Sequence, residues 1–144
     1  MTIFARLLAL AISFGCLAVL IIAAWLEPSP TGIGSHRRMG LEPCQFEVRT
    51  GVPCVTCGMT TSFAHFVRGQ LVASFYVQPM GTILALTTAV VFWTALYIAL
   101  TGRPVHRITR FIPMKAWLIP LFTLTILAWM WKIWIHLTHR DGWS

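Results

Sequence analysis

Three long apolar runs leave this chain few ways to fold. Leu7 to Leu26 and Met80 to Leu100 carry no charged residue, and Ala116 to Ile135 carries only Lys132. Each is close to the roughly 20 residues that cross the hydrocarbon core of a bilayer as a helix. In lipid every backbone N–H and C=O must be satisfied within the segment, so such runs form helices. Composition agrees: 57% of residues are hydrophobic and 10% are charged, against roughly 25% charged in a soluble domain. The apolar residues come in blocks, without strand or helix periodicity. The sequence therefore predicts an all-α integral membrane protein with spans at about 7–26, 80–100 and 116–135, all in one membrane domain over residues 1–144.

The first run reads as a retained helix. A secretory signal has a shorter apolar region followed by a small-x-small cleavage site, and Ala23-Ala24-Trp25-Leu26-Glu27 matches that poorly. Ser13-Phe14-Gly15-Cys16 has the outline of a lipoprotein box, but Ser13 stands where a branched aliphatic belongs. Cys16 reads as a small packing residue.

Residues 27–79 form a long first connection. Pro28 to Gly40 is rich in Pro, Gly and Ser and reads as irregular, with a small basic cluster at His36-Arg37-Arg38. From Gly58 to about Val77 the pattern becomes helical. Met59, Phe63, Phe66 and Val67 share one face, and Thr61, His65 and Arg68 share another. Such a helix either lies amphipathically in the membrane interface or packs its apolar face on the spans. Gly69 is where it would break or bend. Pro79 suits the first turn of the second span, and Gly102 and Pro104 close it. Pro120 is placed to kink the third span, whose far end carries Trp129, Trp131 and Trp134 as an aromatic belt and Lys132 as a snorkelling cation.

The net charge of +7 comes from 11 Lys and Arg against 4 Asp and Glu. No basic stripe with interleaved aromatics accompanies it, so the cations read as contacts to anionic headgroups and as topology signals, with no nucleic-acid partner. Arg103, Arg107, Arg110 and Lys115 crowd the short connection 101–115, whereas Arg37, Arg38, Arg49 and Arg68 are spread over 27–79. With Arg6 on the amino-terminal side, the density of Lys and Arg predicts a cytoplasmic amino terminus and an external cysteine loop.

That loop concentrates the chemistry. Cys44, Cys54 and Cys57 are three of the chain's four cysteines. Cys54-Val55-Thr56-Cys57 is a C-x-x-C, able to close a disulfide or to form one jaw of a metal site. Gly58 permits a positive φ that turns backbone N–H groups toward a thiolate. Three readings follow. Outside the cytoplasm a disulfide would staple the loop. A redox dithiol would use Cys54 as attacking thiol with Cys57 or Cys44 resolving. A site for zinc or another thiolate-bound metal would use all three cysteines, with His65 or His36 as a fourth ligand; apart from a possible zinc no cofactor is expected. Glu42 and Glu47 read as ordinary loop charges. No Ser-His-Asp order, phosphate-binding glycine loop or His-x-x-x-His pair is present, and no acid lies in a span to mark an ion path.

The run Cys44-x-Phe46, then Thr50-Gly51-Val52-Pro53-Cys54-x-x-Cys57-Gly58-Met59-Thr60, resembles a bacterial inner-membrane family catalogued as domain of unknown function family 2752. Its hallmark is approximately Cys-Pro-Phe, then Thr-Gly-x-x-Cys-Pro-x-Cys-Gly-Met-Thr-Arg. Downstream, Arg68-Gly69-Gln70-Leu71-Val72-Ala73-Ser74 and Gln78-Pro79-Met80-Gly81 are similar to further family segments. Gln45, Val55 and Thr61 stand where the family has Pro, Pro and Arg. The resemblance implies a bacterial plasma membrane and brings no activity with it.

These readings combine into a three-span membrane protein with a cysteine loop and an interfacial helix between the first two spans. The expected role is a non-enzymatic accessory or interaction module with a disulfide-ordered external loop, acting on a membrane-protein partner or as a homo-oligomer. Thiol–disulfide exchange and thiolate zinc binding are the alternatives.

Overall fold

Thr2 opens the first helix, α1 (Ile3–Trp25), its side chain accepting the Ala5 N–H at 3.4 Å. The computed structural model describes residues 2–35, 40, 42–103 and 114–140, with side chains in the last segment from residue 119. The cluster His36-Arg37-Arg38 and residues 104–113 of the basic connection lie outside them. In chain order α1 is followed by α2 (Gln45–Thr50), α3 (Met59–Val67), α4 (Leu71–Val77), α5 (Pro79–Thr101) and α6 (Met114–Leu137). Among the described residues there is no strand. α1, α5 and most of α6 are long and apolar enough to cross a membrane.

α1 and α5 form the main pair. Ala9, Ser13 and Ala23 of α1 are buried, as are Gly81, Ala85, Ala95 and Ala99 of α5. Small residues let two backbones approach closely where lipid gives no hydrophobic drive for association. The pair is antiparallel: Arg6, near the start of α1, donates to the Ala99 and Leu100 carbonyls at the end of α5 at 3.0–3.2 Å. Those carbonyls have no intrahelical partner, so a guanidinium there satisfies them and complements the helix dipole. Gly102 takes the left-handed cap (φ 67°) and Pro79 sits in the first turn of α5, as the sequence implies. Away from the pair, large apolar side chains point outward; Trp93 is 67% exposed and Phe122 68%. That is the surface expected where the solvent is lipid.

The end of α1, the start of α5 and the end of α6 meet on one side, and the described residues between 26 and 78 build a cap there. The expected single helix from Gly58 to Val77 is two. α3 stops at Arg68, Gly69 takes φ 77°, and the Gln70 and Gly69 N–H groups return to His65 and Phe66 carbonyls at 3.0 and 2.9 Å. This is a helix-ending turn that glycine makes at little cost.

α3 takes the second of the two roles its pattern admits and packs on the spans. Thr61, Ser62, Phe63, Ala64 and His65 are all buried, and Phe63 joins Ala23 of α1 and Ala85 of α5 in the core, with Met59, Phe66 and Val67 around it. On the face read as weakly basic, Arg68 is exposed, while Thr61 and His65 are buried because their polar groups have partners. Thr61 Oγ1 meets Ser35 Oγ at 2.8 Å, and His65 Nδ1 meets Gln70 Oε1 at 2.6 Å. Ser62 Oγ lies 2.9–3.1 Å from Ser74 Oγ, the Gln78 carbonyl and Thr82 Oγ1. The apolar face left open belongs to α4, where Leu71, Val72 and Phe75 are exposed.

Two cations are tied to backbone carbonyls, Arg68 at an exposed position and Lys132 inside. Arg68 donates to the Ala64 and Ala24 carbonyls at 2.8 and 3.0 Å, sealing the last turn of α1. Lys132 does not snorkel. It is fully buried, and its Nζ donates to the Gly32 carbonyl at 3.4 Å. Among the described residues α6 touches α5 only sparingly and is tied mainly to the cap. Trp131 Nε1 donates to the Tyr76 carbonyl at 2.8 Å, and Tyr76 OH to the Arg140 carbonyl at 3.0 Å. Two of the three belt tryptophans are thus cap struts: Trp131, and Trp129 as described below. Cys16 is half-buried on α1.

Gly81 marks where α3 rests on α5. A Cβ there would lie 2.8 Å from Ser62 Cβ and 3.4 Å from Met59 Cα. Gly81→Ala is expected to lower stability by about 1–3 kcal/mol, the usual cost of overpacking. Thermal unfolding in detergent checks this; an unchanged midpoint would mean that α3 does not sit so tightly.

Candidate metal centre

Cys44 is the N-cap residue of α2. α2 is short and ends at Gly51 (φ 70°), whose N–H returns to the Glu47 carbonyl at 2.8 Å. Thr50 Oγ1 donates to the Phe46 carbonyl at 2.7 Å. The chain is thereby folded back, and Val52-Pro53-Cys54 comes alongside Cys44. The C-x-x-C itself is a tight turn: the Cys57 N–H reaches the Cys54 carbonyl at 3.1 Å, and the Met59 N–H the Thr56 carbonyl at 3.1 Å. Gly58, at φ 85°, then starts α3.

These two turns bring three sulfurs together. The Sγ atoms of Cys44, Cys54 and Cys57 all lie within 4.8 Å of one another. Cys54 Sγ is 3.1 Å from Cys57 Sγ and 3.2 Å from Thr56 Oγ1. The expected disulfide is not formed: the 3.1 Å separation is a thiol contact, well beyond the roughly 2.05 Å of an S–S bond, and all four cysteines are free. The physical reason is that Cys44 converges on the same point as the C-x-x-C, so no two sulfurs are set apart as a pair. A metal about 2.3 Å from each of three sulfurs holds them roughly 3.8–4 Å apart. The three sulfurs lie within 4.8 Å of one another, close enough for one ion to reach them, with Cys54 and Cys57 nearer together than that spacing.

His65 does not join the sulfurs. It is buried on α3 with Nδ1 held by Gln70, and no histidine or carboxylate stands with the cysteine cluster among the described residues. His36 lies outside the described residues. Glu42 Oε2 accepts from Gln45 Nε2 at 3.4 Å, as a loop charge would.

Supports the sequence did not disclose hold the cysteine turn from behind. Trp129 Nε1, on α6, donates to the Pro53 carbonyl at 3.1 Å. Gln78 Nε2 donates to the Val55 carbonyl at 2.8 Å from a fully buried side chain, whose Oε1 has no partner among the described residues. The Gly32 carbonyl and the Lys132 ammonium pack against Gly58. The only sequence signals were position: Gln78 directly precedes the second span, and Trp129 and Lys132 share the far end of the third.

The three thiols are not equivalent. Burial opposes ionisation of Cys54, but hydrogen bonds from the Thr56, Cys57 and Cys44 side chains and the Thr56 backbone outweigh it, bringing the thiol down to about 7. Burial pushes Cys57 strongly up, and the neighbouring Cys54 adds to the rise. Cys54 also faces outward, onto an open cavity of about 330 Å³ shared with Phe46, Val55, Thr56 and Trp129. In metal-free protein, alkylation of Cys54 should therefore rise with pH through a midpoint near 7 as the thiolate forms, while Cys57 stays unlabelled over the same range. Residue-resolved mass spectrometry of the alkylated protein reads this; equal labelling of both would contradict the assigned asymmetry.

Residues 44–92 match a family described as protein of unknown function (DUF2752). The family read from the cysteine motif is the one matched. The DUF2752 segment covers about a third of the chain: all three clustered cysteines, α2 to α4 and the first half of α5. It thus takes in the cysteine turns together with the Gly81 seat of α3. No curated protein and no solved structure matches the chain.

Proposed function

We propose that this protein is a membrane-anchored thiolate centre that binds one soft or borderline-soft metal ion, of the class of zinc or copper(I), on its cysteine cap. The observation that carries the reading is the convergence of Cys44, Cys54 and Cys57 on one point from two separate turns. Thiolate ligands favour such ions over hard cations. Hydrogen bonding outweighs burial at Cys54 and already favours its thiolate. Metal binding completes this by removing the remaining protons.

The cap is read as external and the amino terminus as cytoplasmic, in a bacterial plasma membrane. The support is the Lys and Arg density of residues 101–115 together with Arg6. On that side of a membrane a bound metal would also keep three close thiols from oxidising to a disulfide. The role is one of binding, in an accessory or interaction module.

The test is a titration of zinc and of copper(I) into the reduced full-length protein in detergent, with a chromophoric chelator as competitor. One ion per chain is expected, with release of protons as thiols become thiolates. No uptake of either ion would refute the reading. A second reading, thiol–disulfide exchange, is favoured by the opposed thiol acidities of half-exposed Cys54 and buried Cys57. Cys54 thiolate would attack a partner disulfide and release one partner thiolate. Cys57, giving up its proton, would then attack Cys54 sulfur and release the second. Trapped mixed disulfides in a Cys57→Ser variant that binds no metal would select it.

A further inference from the structure

We infer that the cysteine centre is an open one, whose fourth metal ligand is a sulfur donor from outside the chain, entering by the cavity beside Cys54. The inference rests on the metal reading above and goes on to say what completes the site. Structural metal sites are closed by four protein ligands, whereas sites that exchange a ligand keep three and leave one position open. Among the described residues three sulfurs meet without a histidine or carboxylate, and His65 is turned to Gln70.

The geometry gives the open position a direction. Cys57 is buried at the back of the cluster, while Cys54 is half-exposed and forms part of the wall of the 330 Å³ cavity. A ligand reaching the metal from solvent therefore arrives past Cys54, between Phe46, Val55 and Trp129. Those walls select its chemistry. The Trp129 N–H is committed to the Pro53 carbonyl, and the Thr56 hydroxyl to Cys54 Sγ. They present carbon surface and no cation, so a carboxylate or phosphate would lose its hydration without a partner. A thiol or thioether on an apolar body loses little there and matches the softness of the ion. Binding is ligand exchange without electron transfer: the incoming thiol gives its proton to solvent, its sulfur bonds the metal, and a water leaves. Such a site can pass its ion to, or hold it against, a sulfur side chain of a partner.

The test uses full-length protein loaded with cobalt(II), whose thiolate charge-transfer absorption counts sulfur ligands. Ethanethiol should raise that absorption from a three-thiolate to a four-thiolate intensity and saturate at one thiol per cobalt; acetate should leave it unchanged. A cysteine peptide flanked by leucines that outcompetes glutathione would place the donor on a protein, and the reverse order would assign it to a free small thiol. Absorption that does not respond to ethanethiol would overturn the inference, as would a loss of cobalt affinity in His36→Ala, which would make the fourth ligand internal. Failure to bind cobalt, zinc or copper(I) at all would remove the metal reading itself, a result distinct from an unresponsive bound cobalt.

Discussion

Gly58→Ala should destabilise the cysteine cap by about 2–5 kcal/mol, combining roughly 1–2 for an L-residue held left-handed and about 1–3 for overpacking. Gly58 has φ +85°, and a Cβ on it would lie 2.8 Å from the Gly32 carbonyl oxygen and 3.4 Å from Lys132 Cε and Nζ. The first contact is with backbone, which cannot swing aside as a side-chain tip can. Relief requires Gly58 to move, and Cys57 moves with it. Metal affinity should fall along with stability, while α1 and α5, paired through Ala and Ser positions elsewhere, stay helical. Gly51→Ala is the matched control: φ there is +70°, but nothing lies within 4 Å of the new Cβ. It should cost only the conformational part, about 1–2 kcal/mol. Thermal unfolding in detergent, read alongside zinc affinity, separates the two. Equal losses for both glycines would mean that the Gly32–Lys132 support behind the cysteines is not tight.

Replacing any one of Cys44, Cys54 and Cys57 with serine should weaken zinc binding by more than the roughly 10–100-fold that follows loss of an outer-shell partner. Cys16→Ser, on the membrane-spanning α1, should leave affinity unchanged. The informative member is Cys44. A dithiol exchange centre needs only the C-x-x-C pair, and a staple between Cys54 and Cys57 would not use Cys44 at all. A three-sulfur metal centre loses as much from Cys44→Ser as from the other two. Competition titrations on the four variants measure this, and full affinity in Cys44→Ser would break the assignment of all three sulfurs to one ion.

The spans were legible because the bilayer is an unforgiving solvent: an uncharged run of the right length has one stable conformation in it. Hence 80–100 emerges as Pro79–Thr101, caps included. The cap was harder, since its logic is tertiary. Thr61 and His65 look like a solvated helix face when read along the chain, and only Ser35 and Gln70 make them burial-competent. Lys132 reads as a snorkelling cation for the same reason; the carbonyl it meets belongs to Gly32, distant in sequence. The cysteines were found by spacing alone. What spacing does not encode is that the α2 turn aims Cys44 at the C-x-x-C, so that all three sulfurs lie within 4.8 Å of one another.

The most direct measurement is the intact mass, under native conditions, of protein isolated from membranes without chelator or added reductant. A chain with four reduced thiols carrying one metal ion is the result a thiolate metal centre requires. A metal-free chain lighter by two hydrogens, with the Cys54–Cys57 disulfide mapped by proteolysis, would contradict it.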